Sequence, residues 1–268
     1  MTSRSALAHP FALVGLQALA LWPVWQWYAR RVAEGADESW GLLALAAALV
    51  LLWGERSRLR PEPQPAFLLA AGLLTLLSAG SAPWLHLLPR AVLGMVALGL
   101  TLAAVLDRPR RLSPMWGLLL LSLPVVSSMQ LQFYLGYPLR AFTAWASKGI
   151  LALLGFHVAQ AGTALTWMGR TVLVDAPCSG IQMLWVGMVL TALLSHLTHA
   201  SPARLALNAA LAFPIILAGN VVRNSLLFMT EAGILRLPAW THAATGLLAF
   251  LFTSLLIVSV VRWRGHAH

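Results

Sequence analysis

Charge is scarce in this sequence: 10% of its 268 residues are Asp, Glu, Lys or Arg, against about 25% in a soluble globular domain. With 59% hydrophobic residues and a mean hydropathy of +0.78, that shortage excludes an ordinary soluble fold. Apolar runs recur along the whole chain, which also excludes a soluble domain with a single anchor. Cysteine is scarcer still. Cys178 is the only one, so neither an internal disulfide nor a multi-thiolate metal site can form. Acids are few, eight against eighteen Lys and Arg, giving a net charge of +10. In a soluble protein that excess would point to nucleic acid. Here the arginines fall in short loops between apolar runs, where they act as topology signals, and no nucleic-acid partner is expected. There is no internal repeat and no low-complexity linker. No cleavable signal peptide is expected, because the first apolar run is long, rich in tryptophan and ends in Arg30-Arg31 without a small-residue cleavage site. No residue pattern calls for a metal or an organic cofactor.

What is present is a series of apolar runs. About 20 mostly apolar residues in helix cross a hydrocarbon core. Runs near 10–29, 40–53, 66–86, 90–106, 114–133, 178–198, 203–230 and 240–261 predict an all-α, polytopic membrane bundle of about eight transmembrane helices, the second being short. Between the fifth and sixth runs, residues 137–177 differ in character. Pro138 to Phe156 reads as an amphipathic helix carrying Arg140 and Lys148 at the periplasmic membrane surface. Alternating Thr and Val on either side of Gly169-Arg170 predict a small β-hairpin after it. The chain divides on this reading into an N-terminal multi-span region, 1–113, and a second region, 114–268.

Loop arginines set the orientation. With both termini in the cytoplasm, Arg4, Arg56, Arg58, Arg60, Arg108, Arg110, Arg111, Arg204, Arg262 and Arg264 lie inside. Arg30, Arg31, Arg90, Arg140, Lys148, Arg170 and Arg236 lie outside, and the excess of inner cations favours this arrangement in an inner, cytoplasmic membrane. On that frame three polar side chains fall at one depth. Cys178 opens the sixth span at its outer end, and His242 opens the eighth. Arg223, seven residues before the outer end of the seventh span near Thr230, lies roughly 10 Å below the surface.

Each has a bland reading. A lone membrane cysteine is often apolar filler, an arginine near a helix end can snorkel, and His242 could be simply interfacial. Arg223 is deep for snorkelling, and a membrane-buried arginine costs at least about 2.5 kcal/mol. Asn220 shares its helix face and Asn224 adjoins it. A helix N-terminus favours a thiolate. The free N–H groups after Cys178, at Ser179 and Gly180, offer an oxyanion site. His242 suits proton transfer, and Arg223 suits an oxyanion or a carboxylate. Together they suit acyl transfer through a thioester. The small residues Gly187, Ala192, Gly219 and Ala243 to Thr245 allow either ordinary helix packing or lateral entry of a substrate helix.

Ala176-Pro177-Cys178-Ser179-Gly180, then Asn220-Val221-Val222-Arg223, then His242 four residues before Gly246, resemble the exosortase/archaeosortase family. The likeness runs over residues 115–262 and includes the approach from Pro138 to Asp175. Many members place an acid two positions before the cysteine, where this sequence has Ala176 with Asp175 one residue earlier. The resemblance implies a membrane cysteine transpeptidase, with Cys178 as nucleophile and Arg223 and His242 as essential partners. Its substrates would be exported proteins ending in a short motif (often PEP), a transmembrane helix and a basic tail, and the acceptor nucleophile is left open. Two other readings stand beside it. One is an intramembrane cysteine protease that hydrolyses without transfer. The other is a non-enzymatic transporter or assembly partner in envelope polysaccharide export, which would want its polar groups at the bilayer midplane.

Overall fold

The computed structural model describes residues 10–34, 40–60, 62–106, 119, 121, 122, 135–235, 238 and 240–263. Among them are nine α-helices: α1 (Pro10–Ala20), α2 (Trp22–Glu34), α3 (Trp40–Gly54), α4 (Pro65–Gly80), α5 (Leu87–Val105), α6 (Tyr137–Leu153), α7 (Ile181–Leu197), α8 (Pro202–Glu231) and α9 (Thr241–Trp263). Strands β1 (Ala159–Ala161), β2 (Ala164–Trp167) and β3 (Arg170–Leu173) lie between α6 and α7. The chain forms two compact units, residues 1–126 with 195–205, and residues 127–194 with 206–268. The boundary expected at 113/114 and nearly all of the fifth expected span lie outside the described residues.

Among the described residues three helices, α5, α8 and α9, are long and apolar enough to cross a membrane. The apolar parts of α1, α3, α4 and α7 are shorter, 10–17 residues each. At 1.5 Å per residue the fifteen residues of α3 reach only about 22 Å, short of the roughly 30 Å core. The structure thus has fewer full-length spans among the described residues than the eight expected. The first expected span is also divided. Pro23 has no N–H for the carbonyl four residues back, and the helix turns at Leu21, whose carbonyl accepts the N–H groups of Val24 and Trp25.

In the first unit, α4 and α5 are tied by Arg90, whose Nε donates to the Ser78 carbonyl at 2.7 Å, while Ser78 Oγ donates to the Arg90 carbonyl at 2.9 Å. Gln17 of α1 donates to Thr75 of α4 at 2.8 Å. On α5, residues such as Ala91, Met95 and Leu102 are buried, while Leu69, Leu73 and Leu76 of α4 are exposed. An exposed leucine face is what a lipid-facing helix presents.

The second unit has two cores. In one, Met183 of α7, Ala212 and Ile216 of α8, and Ile257 and Val261 of α9 pack together. Glycines bring these helices close: a Cβ on Gly187 would overlap Ile216, and one on Gly219 would overlap Thr253. Those two small residues therefore serve packing within the bundle. In the other core, Ala144 and Leu151 of α6 and Leu165 of β2 join Val174, Phe228 of α8 and Ala232, with Cys178 at the edge. Ser147 of α6 donates to the Val221 carbonyl of α8 at 3.3 Å.

The segment expected as a hairpin is a three-stranded antiparallel sheet in the order β1-β2-β3. Trp167 pairs with Arg170 across a two-residue turn. Met168 and Gly169 both have positive φ in that turn, 47° and 78°, the twist that suits a tight hairpin.

Candidate active site

Cys178 closes a 3-10 turn, Ala176–Cys178, and α7 starts only at Ile181. The sequence expectation put the cysteine at the first turn of the span; the structure sets it just before the helix. Asp175 caps the 3-10 turn with an extended backbone, φ −81° and ψ −179°, and Pro177 lies in the turn's opening residues, where a missing N–H costs no hydrogen bond. The N–H groups of Cys178 and Ser179 donate back to the carbonyls of Asp175 and Ala176 at 3.0 and 3.2 Å. The Ile181 N–H points to Ser179 Oγ at 3.4 Å. Ser179, 1% exposed, is thus a buried cap on α7. Of the two N–H groups expected to be free for an oxyanion, that of Ser179 is already engaged.

The turn is held from α8. The Cys178 carbonyl accepts from Asn220 Nδ2 and from Asn224 Nδ2, both at 3.2 Å. Asn220 Nδ2 also reaches Thr143 Oγ1 of α6 at 3.2 Å, and Asn224 Nδ2 reaches the Asn220 carbonyl at 2.8 Å. Both asparagines are buried, Asn220 completely. Gly180 makes the approach possible. Its φ is +82°, and a Cβ there would stand 2.6 Å from Asn220 Nδ2. An L side chain is disfavoured at that backbone and blocked by that neighbour.

Burial is the largest influence on the Cys178 thiol and pushes its pKa up. Arg223 opposes burial, Asp175 and Glu231 add to it, and a backbone hydrogen bond at Asp175 opposes it. The net effect is upward. The sequence expected the opposite, a thiolate favoured by a helix N-terminus. Desolvation of the charged form outweighs that effect here, because the sulfur sits beside an apolar core and ahead of the helix.

Arg223 and His242 come to the same region. A Cβ on Gly246, one turn along α9 from His242, would lie 3.4 Å from Arg223 Nε, so Gly246 gives the guanidinium room beside α9. His242 Nε2 lies 3.3 Å from Glu231 Oε1 at the end of α8. Glu231 thus joins the cysteine's electrostatic surroundings to the histidine. Glu231 is not among the site residues expected from the sequence. Its signal was available as helical phase: it lies eight residues beyond Arg223 and eleven beyond Asn220, near the same face. Thr143 carries no such signal, being 77 residues from the asparagine it touches.

Among the described residues no cluster of three or more His, Cys, Asp and Glu could hold a metal. A family model described as transmembrane exosortase matches residues 27–259. No curated protein and no solved structure matches the chain.

Proposed function

Because this chain belongs to the transmembrane exosortase family, and so is a multi-pass membrane enzyme of protein sorting, we propose that it is a cysteine transpeptidase acting through a Cys178 acyl-enzyme. The observation that supports this most is that the last turns of α8 carry Arg223 and Glu231, which both act on the Cys178 thiol, with His242 of α9 against Glu231.

The chemistry follows from the protonation state. The thiol is held mainly as S–H by burial, so a base must take its proton as the sulfur attacks. His242 is that base. The Cys178 sulfur bonds to the scissile carbonyl carbon, and the thiol proton passes to His242. The carbonyl π pair becomes an oxyanion, for which Arg223 is the nearby cation. The oxyanion collapses, the C–N bond breaks, and His242 gives its proton to the leaving amine, leaving a thioester on Cys178. An acceptor amine then attacks the thioester while His242 takes a proton from it; the C–S bond breaks and the thiol is restored. Asn220 and Asn224 hold the Cys178 backbone so that the sulfur meets the carbonyl in one geometry.

The substrate on this reading is an exported protein with a C-terminal motif, transmembrane helix and basic tail. The cysteine faces the outer side of the cytoplasmic membrane, with both termini inside. The test co-expresses such a substrate with wild type and with Cys178→Ala. Processing in the wild type and none in a membrane-inserted Cys178→Ala variant is expected; equal processing in the two would sink the reading. Mass spectrometry of the new C-terminus separates transfer from hydrolysis: a terminus joined to an amine supports transfer, and a free carboxylate supports the protease.

A further inference from the structure

Glu231 stands where a helix least favours an acid. It is the last residue of the thirty-residue α8, and the partial negative charge of a helix C-terminus repels a carboxylate. Its backbone is nonetheless pinned. The Ala232 N–H donates to the Phe228 carbonyl at 2.8 Å, the Gly233 N–H to Thr230 at 3.1 Å and the Leu235 N–H to Met229 at 2.9 Å. Gly233 takes a left-handed φ of +76° to close the helix. From β3, Arg170 Nη1 donates to the Ala232 carbonyl at 3.2 Å, and a Cβ on Gly233 would overlap that guanidinium. The result is a rigid mount for one carboxylate, 3.3 Å from His242 Nε2.

The pair is not there for stability. Its side chains are 54% and 46% exposed, and ion pairs so open to water contribute little. What the contact can do is select. A carboxylate on Nε2 keeps the proton on that nitrogen, so the lone pair of the neutral ring is on Nδ1. We propose that Glu231 is the positioning residue for His242, fixing the Nε2–H tautomer so that Nδ1 takes the thiol proton and later returns it to the leaving amine. This rests on the transpeptidase reading and adds a residue to it. The charged and titratable groups facing the site are Arg223 and Glu231 from α8, Asp175 ahead of the cysteine turn and His242 from α9.

Two readouts that should move in opposite directions test it. Glu231 is one of the groups that hold the thiol protonated, so Glu231→Gln should raise the rate of Cys178 alkylation by iodoacetamide at neutral pH. The same substitution should slow substrate processing by about tenfold or more, with Glu231→Asp partly restoring it. A merely structural residue would lower both rates together. Nitrogen-15 spectra of histidine-labelled protein, with His242→Ala used for assignment, read the tautomer directly. Nε2–H is expected in the wild type and a mixture in Glu231→Ala. A wild-type ring protonated on Nδ1, or processing unaffected by both Glu231→Gln and Glu231→Ala, overturns the proposal. If Cys178→Ala still processes substrate, the transpeptidase reading fails instead, whatever the tautomer.

Discussion

Replacing Gly180 by alanine tests the architecture around the cysteine most sharply. The backbone at φ +82° costs a non-glycine residue about 1–2 kcal/mol. The added methyl would stand 2.6 Å from Asn220 Nδ2 and 2.8 Å from its Cγ, so the buried amide must move. Moving it breaks the bonds to the Cys178 carbonyl and Thr143 Oγ1, both 3.2 Å long, at about 1 kcal/mol each, with more if the buried donors stay unmet. The total is roughly 3–5 kcal/mol. At about 2–4 °C per kcal/mol for a chain of this size, the expected fall in Tm is on the order of 10 °C. Thermal unfolding of the detergent-solubilised protein, followed by tryptophan fluorescence, measures it. Gly149→Ala is the control: that glycine lies within α6 with nothing within 4 Å of its added Cβ, and helix propensity predicts a neutral or slightly stabilising change. A Gly180→Ala protein that melts within about 2 °C of wild type would refute the account of the clamp.

Further outcomes follow from the same contacts. Arg223 is the charge that opposes burial at Cys178, so Arg223→Gln should push the thiol pKa higher still. The alkylation rate at a fixed mildly alkaline pH should then fall several-fold, in step with the thiolate fraction. The wild-type rate itself should keep rising with pH past the free-thiol value of about 8.5. Over the same range the fold should lose stability, because the unfolded thiol ionises before the folded one. A wild-type profile that levels off below about pH 8 would contradict a raised thiol pKa. Asn224→Ala leaves the Cys178 carbonyl with Asn220 alone and should cost about 1–2 kcal/mol, read as a lower denaturation midpoint. It should also reduce processing more than it reduces binding of a substrate peptide, because the loss is one of geometry at the sulfur.

Much of the site was legible because it follows helical periodicity. Asn220 and Arg223 are three residues apart, so one face carries both before any fold is known. His242 opening a helix was equally readable. The cysteine was harder. Its depth ahead of α7 depends on where the 3-10 turn ends, and its titration depends on an apolar core assembled from α6, the sheet and α8, contacts that no local pattern encodes. Strand β1, three residues long, has too little alternation to announce itself. The break at Leu21 did have a sequence cause in Pro23, but continuous hydrophobicity from Pro10 onward hid it. Expected spans become short helices for the same reason: hydropathy measures how apolar a run is, whereas turns such as those after Gly80 decide how much of it is helix.

One helix carries four of the polar groups described above. Asn220, Arg223, Asn224 and Glu231 belong to α8, and at about 100° per residue all four fall within an arc of about 100°. Asn220 and Glu231 lie eleven residues apart, close to three whole turns and about 16 Å along the axis. The helix therefore acts as a ruler that fixes both the angular phase and the axial interval between the groups at the cysteine and the group at the histidine. One extra residue between Asn224 and Glu231 would leave the asparagine clamp intact and swing the carboxylate about 100° away. A residue added after Leu235 would fall beyond the bonds that close the helix and leave the ruler unchanged. Length variation in this protein should then be tolerated beyond the end of α8 and excluded from its last two turns.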